Sequence, residues 1–179
     1  MNQDQLQALL TKVQQGALAV PDALHRLRTL PYENLGFASL DHHRALRQGF
    51  PEVIFCEGKT VSQVVAIAKT LSRKNNALLA TRAERPVARA LLRVSKRAVY
   101  HEAARVVAIA PPKLVRRGAV LIVTAGTADI PVAEEARVTA DIMGSKTDTL
   151  YDVGVAGLHR LLGQQERLHD ARALIVVAG

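Results

Sequence analysis

The pattern of apolar and polar positions is most regular in the last third of the chain. Residues 120–123 form a short apolar run rich in β-branched side chains, which is typical of a strand buried on both faces. Small and polar residues follow at 124–129, and Pro131 then stands where the first turn of a helix would begin. Residues 119–137 are therefore predicted to form a strand, a tight turn and a helix.

The same alternation continues to the end of the sequence. A helix over 132–143 is followed by a strand near 147–152, a helix over 157–163 extended by 164–169, and a strand over 173–177. Strand, helix, strand, helix, strand with short turns predicts a right-handed parallel sheet. A core strand of this kind needs helices on both of its faces, and the sequence lacks a third helix to cover the last strand. We therefore expect the sheet to be cut short after its third strand.

The first half of the chain predicts a smaller α/β unit. The predicted helices cover residues 3–15, a short stretch after 20, 61–72 and 84–95, and the predicted strands cover 53–56, 77–81 and one or two segments within 99–109. Leu24 and Leu27 are expected to face inward. Pro31 and the pair Asn75–Asn76 are expected to end the helices before them.

A change of composition at Pro111–Pro112 predicts the domain boundary. Two prolines stop a helix and favour an extended linker. We therefore expect two domains, residues 1–112 and residues 113–179. The fold class is α/β, with a small N-terminal α/β domain followed by an incomplete parallel three-layer α/β/α sheet.

Composition narrows the class of partner. The net charge of +8 and the pI of about 10.1 favour an anionic partner such as a phosphorylated ligand. Aromatic residues make up only 3% of the chain, so platforms for stacking on nucleic acid bases are scarce and a nucleic acid partner is not expected. Cys56 is the sole cysteine, which excludes an internal disulfide. With no signal peptide pattern and no membrane-spanning run, we expect a cytoplasmic location.

Two predicted turns carry the candidate chemistry. One contains Gly126, and the other, residues 151–160, follows the next parallel strand and so emerges at the same edge of the sheet, where α/β proteins bind ligands. Backbone N–H groups at such a turn favour an anion such as phosphate, although an ordinary strand-to-helix turn is the alternative. Asp152, His159 and Arg160 supply a carboxylate, a group that titrates near neutrality, and a phosphate fork.

These residues resemble a known family. The likeness rests on Thr-Ala-Gly-Thr-Ala-Asp-Ile-Pro-Val-Ala-Glu-Glu-Ala (124–136), on Tyr-Asp-Val-Gly-Val-Ala-Gly-Leu-His-Arg (151–160) and on Asp-His-His-Arg-Ala-Leu-Arg-Gln-Gly-Phe-Pro-Glu-Val (41–53). All three are similar to the LarB family, whose C-terminal domain resembles the PurE-type aminoimidazole ribonucleotide carboxylase. Thr127 and Ala128 replace serines of the PurE pattern, and Leu158 replaces an alanine. The likeness covers almost the whole chain.

The resemblance implies an activity. LarB enzymes are pyridinium-3,5-biscarboxylic acid mononucleotide synthases of nickel-pincer cofactor biosynthesis. They carboxylate the pyridinium ring of nicotinic acid adenine dinucleotide (NaAD) with CO₂ or bicarbonate and hydrolyse its phosphoanhydride, which releases AMP. The resemblance also implies a homo-oligomer (an octamer for the full-length protein), leaves a role for Mg²⁺ open and implies no bound nickel. The family's nucleophilic cysteine lies beyond residue 179, so we expect this chain alone to be inactive.

The site residues follow from the resemblance and the two turns together. His159 is the candidate for proton transfer. The residues expected to bind substrate are Gly126, Thr127, Ala128, Asp129, Asp152, Gly154, Gly157 and Arg160. Asp41, Arg44 and Arg47 are candidates for holding phosphates or completing the cleft, and pairing on the surface is the alternative.

Three other features have a structural interpretation. Cys56 follows an apolar run and is expected to be a buried, inert thiol. Adjacent residues such as His42 and His43 rarely point the same way, so no metal site is expected there. The basic residues Arg82, Arg85, Arg89, Arg93, Lys96 and Arg97 follow helical spacing, which indicates a solvated helix face or, alternatively, a contact with a dinucleotide or a neighbouring subunit.

Two other functions are alternatives to the activity that the resemblance implies. The enzyme alternative is a PurE-type aminoimidazole ribonucleotide carboxylase or mutase of purine biosynthesis. The alternative without catalysis is a basic nucleic-acid-binding module, which would bind DNA or RNA with a steep dependence on salt.

Overall fold

A computed structural model describes residues 3–27, 32–50, 52–74 and 77–179, and its fold is α/β, as predicted. The expected helix ends at Pro31 and at Asn75–Asn76 lie outside these residues. The helices are α1 (Gln3–Gln14), α2 (Val20–Leu27), α3 (Arg44–Gln48), α4 (Val61–Lys74), α5 (Arg85–Leu92), α6 (Ile130–Ile142), α7 (Leu158–Leu162) and α8 (Gln165–Asp170). The strands are β1 (Glu33–Asn34), β2 (Ser39–Leu40), β3 (Ile54–Phe55), β4 (Leu78–Thr81), β5 (Val99–His101), β6 (Val106–Ile109), β7 (Arg117–Thr124), β8 (Ser145–Leu150) and β9 (Ala173–Val177).

The first large sheet is mixed, with the strand order β3-β4-β6-β5. Only β3 and β4 run parallel, and the other neighbours are antiparallel. Alternate residues of β4 and β6 point to opposite faces, and α4 and α5 cover the face that carries Leu78 and Val107. Thr60 begins α4 with a capping box, because its hydroxyl accepts the Gln63 N–H while its own N–H donates to the Gln63 side chain.

The second large sheet is fully parallel, with the strand order β8-β7-β9. The predicted βαβαβ arrangement is therefore confirmed. β7 starts three residues earlier than predicted, and its pairing with β8 is irregular between Arg117 and Val120. The helix expected over 157–169 is two helices, since α7 ends at Leu162, Gly163 follows, and glycine favours the helical conformation poorly.

Helix α6 lies between the two sheets. Its buried residues Val138 and Ile142 pack with Leu79, Val106 and Ala108 of the first sheet. The same helix contacts all three strands of the second sheet, whose other face packs on α7 and α8. One core cluster thus draws side chains from both sides of residues 112 and 113, and the division into two domains stays a prediction.

The prediction that Leu24 faces inward was wrong. Leu24 is 63% exposed, because the phase of α2 turns Ala23 rather than Leu24 into the protein, while Leu27 is half-buried. Leu174 and Val176 of β9 are 47% and 65% exposed, because α7 and α8 pack over β7 and β8. Within the described residues, no helix is long and apolar enough to cross a membrane.

Candidate functional site

The first turn is closed by its own aspartate. After β7, residues 127–129 form a single 3-10 turn that leads into α6. The Gly126 N–H donates to Asp129 Oδ2 at 2.9 Å, and the Gly179 N–H donates to Asp129 Oδ1 at 3.3 Å. The Asp129 carboxylate therefore accepts the Gly126 N–H, which is one of the backbone donors expected from the sequence to bind an anion. Thr127 and Ala128 are exposed on the outer side of this turn.

Backbone hydrogen bonds join the second turn to the first. The buried Thr124 accepts two N–H groups, that of Asp152 on its hydroxyl and that of Val153 on its carbonyl, each at 3.0 Å. The Gly154 N–H donates to the Ala125 carbonyl at 2.9 Å, and the Ala125 N–H donates to the Val177 carbonyl at 3.0 Å. The carboxyl ends of β7, β8 and β9 thus meet at one edge, the position at which open α/β sheets bind ligands.

Two glycines in the second turn lie at close contacts, one with backbone and one with a flexible side chain. A Cβ atom on Gly154 would lie 2.7 Å from the Ala125 carbonyl oxygen, closer than real Cβ contacts allow. A Cβ atom on Gly157 would lie 2.6 Å from Arg160 Nε, so the guanidinium folds over the space where a side chain would be. The glycines therefore bring the two turns together and make room for Arg160.

Asp152 and Arg160 form an ion pair across the second turn. Arg160 Nη1 donates to Asp152 Oδ2 at 2.6 Å, and both side chains are partly exposed. Asp152 has a φ of 59°, which residues other than glycine seldom adopt and which is enriched at functional sites. His159 is exposed near the start of α7, beside Arg160 in the chain. The structure thus places Asp152, Gly154, Gly157, His159 and Arg160 in one surface segment next to the first turn.

The candidates from the N-terminal half form a separate cluster. Arg47 Nη2 donates to Asp41 Oδ2 at 2.6 Å and lowers the pKa of that carboxyl group. The His43 N–H donates to Asp41 Oδ1 at 2.9 Å, and the Asp41 N–H donates to Glu52 at 2.7 Å. The Arg44 N–H lies 3.5 Å from the Asp41 carbonyl. These contacts join Asp41 to His43, Arg47 and Glu52, as the surface-pairing alternative expects.

Comparison with known proteins identifies the family. Residues 32–111 match the family model of the LarB/PurE-like N-terminal domain. An uncharacterized protein of Methanocaldococcus jannaschii is 33% identical over 185 aligned residues, which cover 97% of this chain and 72% of that protein. The chain belongs to the LarB/PurE-like family. The segment 41–53 lies within the matched region.

The cysteine of this LarB/PurE-like chain is unsuited to nucleophilic chemistry. Cys56 is 3% exposed at the end of β3, among the side chains beneath α4. Burial raises the pKa of its thiol to about 11, so very little thiolate is present near neutral pH. The prediction of a buried thiol is confirmed.

The two histidines of the N-terminal motif turn to different partners. His42 is buried with Nε2 3.2 Å from a Glu33 carboxylate oxygen, whereas His43 Nδ1 lies 3.3 Å from Arg47. In the part of the chain that the structure describes, no group of three or more His, Cys, Asp or Glu side chains is placed to hold a metal ion.

The predicted basic helix face is not one surface. Helix α5 ends at Leu92, so Arg82 lies before it, and Lys96 and Arg97 lie after it. Arg82 Nε pairs with Glu135 of α6 at 2.8 Å, and Arg85 pairs with Glu102. The single-helix prediction was wrong, because residues 93–98 form turns rather than continuing the helix. Part of the basic charge is consequently balanced by carboxylates.

A polar cluster on α6 escaped the sequence analysis. Arg137 donates two hydrogen bonds of 2.8 Å to the Glu134 carboxylate, which also accepts the Tyr151 hydroxyl. Arg137 lowers the pKa of Glu134, and burial together with Glu134 raises the pKa of Tyr151 to about 12. The spacing of Glu134 and Arg137 on a helix was a signal for their pairing. No local sequence pattern predicted that Tyr151, the residue immediately before Asp152, contacts Glu134.

Proposed function

We propose that this chain is part of an enzyme that carboxylates the pyridinium ring of NaAD with CO₂ and hydrolyses its phosphoanhydride with release of AMP. Membership of the LarB/PurE-like family supports a carboxylase-type enzyme. The observation that carries the finer proposal is the junction of the two turns through Ala125 and Gly154 at the carboxyl edge of a parallel sheet.

The two turns at this edge have different roles. The backbone at Gly126, Thr127 and Ala128, with the Asp129 carboxylate beside it, lines the phosphate and ribose of the substrate. Arg160 binds a phosphate oxygen, because its guanidinium presents a planar fork. His159 accepts or donates a proton, since histidine is the side chain that most often serves as general acid or base.

The ring chemistry needs a nucleophile that this sequence does not contain. A thiolate that adds to the pyridinium ring makes C5 electron-rich enough to attack CO₂. Loss of the C5 proton and departure of the thiolate then restore the aromatic ring. Cys56 is buried and its thiol pKa is about 11, so it does not fit this role. We therefore propose that the 179-residue chain alone does not release AMP from NaAD.

A role for Mg²⁺ stays open, and among the described residues no group of three or more His, Cys, Asp or Glu side chains is placed to hold a metal ion. Mg²⁺ is usually bound by one or two carboxylates together with substrate phosphates. The carboxylates of Asp129 and Asp152 already accept hydrogen bonds from the chain.

The deciding experiment supplies two substrates to the protein encoded by the complete reading frame. It is incubated with labelled bicarbonate and either NaAD or aminoimidazole ribonucleotide. We expect label in a pyridinium carboxylate and release of AMP with NaAD, and no reaction with the purine precursor. Carboxylation of aminoimidazole ribonucleotide alone would favour the purine alternative. Cys56→Ser serves as a control that should keep full activity, because this thiol is assigned no chemistry.

A further inference from the structure

Two donors at the carboxyl edge of the second sheet are bound by carboxylates of the chain itself. The Gly126 N–H donates to Asp129, and the Arg160 guanidinium donates to Asp152. These are the donors that an anionic ligand would use. A phosphate group that binds at this edge must therefore compete with at least one internal carboxylate.

The Asp129 contact belongs to the turn and is hard to replace. Its carboxylate accepts two backbone N–H groups, from Gly126 and Gly179, and it lies at the end of the 3-10 turn before α6. Displacing it would leave the turn without its capping interaction.

The Asp152 contact is built differently and can exchange. The Asp152 and Arg160 side chains are 48% and 39% exposed, and ion pairs with that much exposure contribute little to stability. The Asp152 backbone is pinned to Thr124 by its own N–H, so only the carboxylate has to rotate away. Release of this pair needs no rearrangement of the turn.

Arg160 has a seat that does not depend on Asp152. Its guanidinium lies over Gly157, in space that any other residue at that position would fill with a Cβ atom. The missing Cβ atom at Gly157 thus leaves room for the guanidinium beside the second turn whichever anion it pairs with. This arrangement presents one guanidinium that an internal carboxylate and an external phosphate can occupy in turn.

We propose that Asp152 is an internal competitor for the phosphate subsite at Arg160 and sets the affinity of that subsite for anions. In the free protein the Asp152 carboxylate pairs with Arg160. In the complex, a phosphate group of the ligand replaces that carboxylate at Arg160. The inference deepens the proposed function, on which its assignment to a phosphate-bearing ligand rests. It is not tested by turnover, because it concerns binding alone.

The experiment titrates the 179-residue chain with AMP and follows amide chemical shifts, which detect weak binding. Asp152→Asn keeps the shape of the side chain and removes its charge, and asparagine tolerates a positive φ. Because an exposed ion pair is worth little, we expect Asp152→Asn to bind AMP about two- to five-fold more tightly than the wild type. Arg160→Gln should weaken AMP binding about ten-fold or more, both alone and combined with Asp152→Asn.

Asp148→Asn is the matched control. Asp148 pairs with Arg167 at 2.7 Å, and these side chains are 67% and 40% exposed, but the pair joins β8 to α8 and does not involve the two turns. This variant removes the same charge and should leave AMP affinity unchanged, so an equal gain would show a general effect of net charge and overturn the proposal.

Two other results would also overturn it. Weaker binding by Asp152→Asn would mean that Asp152 positions Arg160 instead of competing for it, and no AMP binding by the wild type would remove the subsite. Failure of the proposed function would look different: NaAD would not be carboxylated by the complete protein, whereas the order of AMP affinities among the variants would persist.

Discussion

Gly154 approaches Ala125 so closely that a Cβ atom at position 154 would lie 2.7 Å from the Ala125 carbonyl oxygen. That carbonyl accepts the Gly154 N–H at 2.9 Å, which joins the turns that follow β7 and β8. Both atoms in the clash are main-chain or Cβ atoms, so no flexible side chain can move aside. The close approach therefore depends on glycine.

We expect Gly154→Ala to separate the two turns and to lower the free energy of unfolding by about 1–3 kcal/mol, because overpacking at a rigid contact forces the backbone to shift. Urea unfolding measures this loss. Gly126→Ala is the control, since its Cβ would meet only Asp129 at 3.7 Å, and it should change stability much less. Equal losses in both variants would contradict the assigned role of Gly154.

Much of this edge could be predicted from the sequence, because its signals are local. The β-branched run before Gly126 and the position of Pro131 predicted the strand, turn and helix, and the structure confirms that order. The hydrogen bonds to Asp129 and the ion pair of Asp152 could not be predicted, because a short polar segment can direct its carboxylates to the chain or to a ligand. Only the geometry shows that each carboxylate already has a partner within the chain.

The shared position of α6 predicts that the two sheets depend on one another. Val138 of α6 is 2% exposed against the first sheet, whereas Val132 of the same helix is 47% exposed. We expect Val138→Ala to cost about 1–3 kcal/mol of the free energy of unfolding, and Val132→Ala less than about 0.5 kcal/mol. Hydrogen exchange should show lost protection in both β6 and β7. Loss confined to one sheet would contradict this coupling.

Sequence periodicity did not reveal that arrangement, because an apolar helix face shows that a helix is buried but not against which sheet. The same limit explains Leu24, which the pattern turned inward although α2 leaves it exposed. The exposure of Leu174 and Val176 in β9 likewise does not follow from composition alone. Composition predicts burial, whereas actual burial depends on where α7 and α8 pack.

The burial of Cys56 predicts slow reaction with thiol reagents. With a thiol pKa of about 11, only roughly one molecule in a thousand carries the thiolate at pH 8. We expect the native chain to react far more slowly than the same chain in concentrated urea, measured by absorbance with a disulfide reagent. Reaction at the rate of an exposed thiol would show that the end of β3 opens readily, and would reopen the question of a chemical role for Cys56.

The contacts of Glu134 with Arg137 and Tyr151 predict a loss of stability in acid. Arg137 lowers the folded-state pKa of Glu134 below its ordinary value of 4.5, so the unfolded chain takes up this proton first as the pH falls. The contribution of Glu134 is therefore fully present above pH 4.5 and is lost as the pH falls through the lower folded-state pKa. Glu134→Gln cannot titrate, so its free energy of unfolding should decline less than that of the wild type between about pH 5 and pH 3.

The measurement is urea unfolding at several pH values, with the exposed Glu57→Gln as the control for removal of a carboxylate. A wild-type slope for Glu134→Gln would show that the pairs with Arg137 and Tyr151 contribute nothing to the acid response. Because Tyr151 directly precedes Asp152, loss of its contact with Glu134 should also reach the second turn. We expect amide shifts at Asp152 and Gly154 in Glu134→Gln but not in Glu57→Gln, since only the first variant removes the charge from the group that accepts the Tyr151 hydroxyl.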